Sequence, residues 1–206
     1  MLAVKWGHMS STHGNKQKHN SSNPVQRALI AHFLRRVSDL VIARAPKNIL
    51  EIGCGEGYVL RALRDAGVRC PMRGIDFSET AIAEARERVP EAEFFVQDAA
   101  ALADDGQRFD VVLMIEVLEH LPDPKRMLEV LSRLAERHVV LSVPWEPFFR
   151  GLNFARGKHI RALGNDPEHI QHWSRRSFQS FVSDHFVIQE APLVFPWTLV
   201  GAAVPH

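Results

Sequence analysis

Residues 49–57 read ILEIGCGEG. Residues 48–54 (NILEIGC) read as a short, mainly apolar strand. Glycines at 53, 55 and 57 sit at its end, and 58–66 then reads as a helix stopped by Gly67. A strand that turns into a helix through glycines lets the backbone come close to a ligand, and the helix N-terminus attracts anionic groups. The bland alternative is a glycine-rich turn with no ligand.

The same rhythm continues outward. Segments 73–77 (RGIDF), 93–97 (EFFVQ), 109–115 (FDVVLMI) and 138–143 (HVVLSV) read as further strands, with helices predicted over 78–89 and 124–136. Ser78 is expected to cap the first of these helices, which ends before Pro90. Strands separated by helices imply right-handed crossovers and a parallel sheet. The expected fold is therefore α/β, Rossmann-like and doubly wound. Upstream, Asn23-Pro24 opens a predicted helix to Arg44, either a cover for the core or a lid over a ligand. Downstream, Ser174 caps a helix to about His185. Two apolar segments, 186–194 and 197–204, then follow without a helix between them, which predicts an antiparallel pair at a sheet edge.

Composition narrows the field. The chain has 206 residues, 46% hydrophobic and 24% charged, with a formal net charge of +1. That is enough for one domain with its own core, and it offers no global basic field for nucleic acid. Cys54 and Cys70 lack companions at metal-finger spacing, so neither a disulfide framework nor structural zinc is expected. No apolar run reaches membrane-spanning length, so no stable membrane insertion and a cytoplasmic location are expected. Residues 1–22 are predicted to be a disordered tail, part of it resembling an expression scar. One domain is expected over 23–206.

Dinucleotide enzymes use G-x-G-x-x-G. Here the third glycine comes one residue early, and Tyr58 stands in its place. Asp76 closes the second strand nineteen residues past Gly57. A carboxylate there suits the two hydroxyls of a ribose, which both nucleotide-binding classes share.

ILEIGCGEG, then GIDFS at 74–78, QDA at 97–99 and FDVVLMIEVLEHLPDP at 109–124 together resemble the motif series of class I S-adenosylmethionine-dependent methyltransferases. The likeness is strongest to the bacterial small-molecule branch that includes quinone-biosynthesis O-methyltransferases. It covers about 46–144 and implies a seven-stranded, mostly parallel sheet with an antiparallel C-terminal strand. It also implies S-adenosyl-L-methionine as cofactor and a small-molecule acceptor, methylated at oxygen more readily than nitrogen.

On that pattern Gly53, Gly55 and Gly57 hold the methionine end, with Glu51 steadying it from below. Asp76 takes the ribose and Phe77 lies against the adenine. Asp98 and the Ala99 backbone read the adenine edge, and Ile115 and Glu116 flank the amine and the methyl group. Asp98 could equally be a helix cap, and Glu116 could be purely structural.

Methyl transfer from a sulfonium needs alignment and water exclusion more than acid catalysis. A hydroxyl acceptor also gains from a base near neutrality. His120 and His172 are the candidates, against the reading that each only fixes a loop. Trp145, Phe149 and His169 are expected at the acceptor, within a cap insertion over 145–173. Asp166, Glu168 or His120 could complete a metal set with the two later histidines, but the spacing does not support one. The insertion is mildly basic, which suits an anionic acceptor, and Phe148-Phe149 permits a homodimer. Two rivals are a non-catalytic cofactor-binding protein and an NAD-dependent oxidoreductase.

Overall fold

A computed structural model describes residues 22–145 and 170–205. The predicted tail, Phe149, His169 and the body of the cap insertion lie outside the described residues. Eight strands form a single sheet: β1 (Ile49–Ile52), β2 (Met72–Asp76), β3 (Glu93–Val96), β4 (Phe109–Ile115), β5 (Ala135–Pro144), β6 (Val187–Glu190), β7 (Leu193–Val194) and β8 (Trp197–Ala203). Their spatial order is β3-β2-β1-β4-β5-β8-β6, with β7 also paired to β8. The pairs among β1 to β5 are parallel, and β8 runs antiparallel to β5, β6 and β7.

The helices are α1 (Pro24–Ala43), α2 (Tyr58–Asp65), α3 (Glu79–Arg88), α4 (Ala99–Asp104), α5 (Pro124–Leu134) and α6 (Arg175–Ser183). Side chains alternate across a strand, and here consecutive residues feed two cores. Ile49, Val111 and Leu113 pack with Phe33, Val37, Leu60 and Ile82 of α1 to α3. Leu50, Val112 and Met114 pack with Leu102, Leu128 and Phe178 of α4 to α6. The sheet is thus covered on both faces, which explains why β4 is buried throughout and apolar except for Asp110. Among the described residues no helix is long and apolar enough to cross a membrane.

The helix starts follow local chemistry. Asn23 accepts the N–H groups of Val25 and Gln26, with Pro24 in the first turn, and Ser78 accepts that of Ala81. Helix α4 has six residues, too few to show a period in the sequence. Strand β5 begins at Ala135, where a longer helix was expected.

The terminal segments pair antiparallel at one end of the sheet, as expected. Reversed β8 lies inside the sheet, with β5 on one side and β6 and β7 on the other, so that β6 and β7 form the edge opposite β3. Burial accounts for the choice: the central residues of β8 are enclosed, whereas most of β6 is exposed. The segment 186–194 divides into β6 and β7 around Ala191-Pro192, since proline cannot donate to the ladder.

Candidate active site

Because β1, β2, β4 and β5 are parallel, their C-terminal ends open on one side of the sheet, the usual place for a ligand in such folds. At the end of β1 the N–H groups of Gly53 and Cys54 both reach the carbonyl of Ile75, at 2.8 and 3.1 Å. Gly53 has a φ of +71°, and a Cβ there would lie 2.5 Å from Cγ2 of Val117. The position needs glycine for conformation and for space. Gly57 starts α2 and offers no capping side chain. Arg88 donates to the Glu56 carbonyl, and its guanidinium lies 3.9 Å above the Tyr58 ring. Tyr58 therefore packs under a cation just where a dinucleotide loop would carry glycine.

Asp76 closes β2 and holds two backbone N–H groups. Oδ2 accepts from Gly55 and Oδ1 from Ser78, each at 2.9 Å. Each carboxylate oxygen has a further lone pair to offer a ligand hydroxyl. Phe77, next in the chain, is 44% exposed despite its size. The N–H of Gln97 donates to the Asp76 carbonyl at 3.2 Å, which ties the exit of β3 to that of β2. Asp98 then caps α4, accepting from Ala100 at 2.8 Å. The cap role is real, and it places Asp98 and Ala99 at the same opening. Beneath the loop Glu51 is buried. Burial first, and then the charge of Asp76, push its carboxyl well above the ordinary glutamate range, and a backbone bond from Leu60 offsets part of this.

At the end of β4, Ile115 is buried and Glu116 adopts a φ of +57°, an uncommon conformation for a side chain of that kind. Ser142 of β5 holds it there. The Glu116 N–H reaches the Ser142 carbonyl and Oγ, both at 3.2 Å, and the Ser142 hydroxyl donates to Glu116 Oε1 at 3.1 Å. A short 3₁₀ turn, Leu118–His120, follows. Glu119 is enclosed, and His120 Nε2 lies 3.9 Å from its Oε1.

The same turn captures the returning chain. Ile170 and Gln171 both donate to the Glu119 carbonyl, at 2.9 and 3.0 Å, and the Gln171 side chain donates to Leu121 at 3.3 Å. His172 therefore sits one residue from a segment pinned beside His120. Trp173 packs on Phe178 and Phe181 of α6. Trp145 follows the C-terminal end of β5: its backbone N–H donates to the Pro196 carbonyl at 3.0 Å and its ring meets Phe195 edge-on at 5.9 Å. Among the described residues no group of three metal-ligating side chains comes together. Sequence reasoning missed Ser142, Arg88 and Gln171, whose contacts span distant positions that no local pattern signals.

The chain belongs to the methyltransferase domain family, whose sequence model matches residues 25–185. It is 37% identical over 92 residues to a ubiquinone biosynthesis O-methyltransferase of Coxiella burnetii, covering 43% of this chain and 38% of that protein. The protein of the same description from Thiobacillus denitrificans is 38% identical over 105 residues, 47% of this chain and 44% of that one. The match thus spans less than half the length of either relative. In structure the chain resembles magnesium protoporphyrin IX methyltransferase from Synechocystis PCC 6803 with bound SAH. The TM-score is 0.72 and the identity 21%, covering 95% of this chain and 94% of that one.

Proposed function

We propose that this chain binds S-adenosylmethionine on the 53–57 loop and passes its methyl group to an oxygen of a small-molecule acceptor. The observation that carries the reading is the closure of the glycine loop onto Asp76, with Oδ2 on the Gly55 N–H and a lone pair of each oxygen left for a ribose. The surroundings fit the same group. Phe77 presents an exposed ring for the base, Asp98 and Ala99 stand at the head of α4 for the adenine edge, and buried Glu51 underlies the loop beneath the methionine end.

When bound, the cofactor supplies an electrophilic methyl group on a positively charged sulfur. The protein's work is then to align and to exclude water. Ile115 and Glu116, fixed by Ser142, would flank the transfer point. His120 or His172 would take the acceptor's hydroxyl proton on an imidazole nitrogen as oxygen attacks. Trp145, Phe149 and His169 would line the acceptor side. The near-zero net charge favours a small molecule over nucleic acid. A cytoplasmic setting and a homodimer complete the reading.

Calorimetry with S-adenosylhomocysteine and with NADH tests the pocket. Heat with the first and none with the second is expected, and the reverse would overturn the proposal. A screen of hydroxylated metabolites, read by mass for an added methyl group, then identifies the acceptor.

A further inference from the structure

The glycine loop rests on a buried acid for which methyl transfer itself has no use. Glu51 is 2% exposed, and its Oε2 has no hydrogen-bond partner among the described residues. The partner it does have is the backbone N–H of Leu60 in the first turn of α2. Asp76 of β2 acts on it as a second negative charge. The Cys54 thiol in the loop feels the charges of Glu51, Asp76 and Glu56 together. Glu56 is itself enclosed, with Oε1 unpartnered. The register neighbours of Glu51 on the flanking strands are Gly74 and Leu113. Among the described residues, no cation is among the groups that set its ionisation.

A carboxylate enclosed this way, beside another carboxylate, is costly to ionise unless a positive charge arrives. We infer that Glu51 keeps its proton while no cation is near and releases it when the positively charged methionine end of the cofactor settles on the 53–57 loop. The step is an O–H dissociation: the electron pair stays on the carboxylate and the proton passes to solvent. The inference rests on the cofactor reading above. Binding is thereby coupled to pH, and the loop discriminates for ligands that bring a cation. The raised ionisation range of Glu51 accords with this.

Calorimetric titration with S-adenosylmethionine in two buffers of different ionisation heat tests it. About one proton released per ligand is expected on the acid side of that raised range. Affinity should rise by up to about tenfold for each pH unit as the pH is raised toward that range, and level off above it. Glu51→Gln, which mimics the neutral acid, should bind with neither the release nor the slope. Equal heats in both buffers for the unmodified protein, or undiminished release by Glu51→Gln, would overturn the inference alone. Absence of binding at every pH would overturn the cofactor reading with it. Should Glu51→Gln fail to fold, difference infrared spectroscopy of the unmodified protein decides. A protonated-carboxyl band lost on ligand addition supports the inference, and its absence from the free protein refutes it.

Discussion

The carboxylate of Asp76 accepts the backbone N–H of Gly55 at 2.9 Å across a separation of 21 positions. One side chain therefore shapes the glycine loop and, on the proposed reading, faces the ribose. Asp76→Ala removes both functions. Hydrogen bonds to a charged group contribute about 1.5–3 kcal/mol each, so the affinity for S-adenosylhomocysteine should fall by about tenfold to a hundredfold. Calorimetry checks this, with circular dichroism to show that the fold persists.

Gly53 and Gly67 separate conformational strain from crowding. Both have positive φ, but a Cβ on Gly67 meets nothing within 4 Å, whereas one on Gly53 meets Val117. Gly67→Ala should cost about 1–2 kcal/mol through the backbone alone. Gly53→Ala should cost about 1–3 kcal/mol more, part of it recovered by adding Val117→Ala. Denaturant midpoints measure the difference.

Methylation, with an acceptor in hand, tests the two histidines. A general base contributes about 10²–10⁴ in rate. Removing it by His120→Ala or His172→Ala should lower kcat by about a hundredfold or more while affinity for S-adenosylhomocysteine stays unchanged. Full turnover by either variant dismisses that residue as the base.

Glu51 should also leave its mark on stability. Its folded-state ionisation lies above that of the unfolded chain, so the folded state binds more protons between the two. Stability from this group is complete below the ordinary glutamate range and declines as pH rises, levelling above the raised one. The decline is at most about 1.4 kcal/mol per pH unit. Thermal melts of the unliganded protein should show it, and Glu51→Gln should flatten the curve.

Much of this was legible in the sequence because it is written in local chemistry. The apolar run 111–115 of β4, the glycines before Tyr58 and the acid ending β2 each announce their role within a few residues. The position of β8 inside the sheet does not, because strand order is settled by which segment profits most from enclosure. The same holds for Ser142 on Glu116 and Gln171 on Leu121, partners 26 and 50 positions apart. Each is an ordinary polar residue until the fold brings its partner near. Asp98 shows the reverse: cap and ligand contact were weighed as rivals, yet the cap is what sets this carboxylate at the opening.

The contact between Gly53 and Val117 also constrains how such a protein can diversify. The methyl groups of Val117 fill the volume a side chain at 53 would need, so the proposed donor cradle and the turn bearing His120 share one party wall. A lineage that remodels position 117 for a bulkier acceptor disturbs its own hold on the donor.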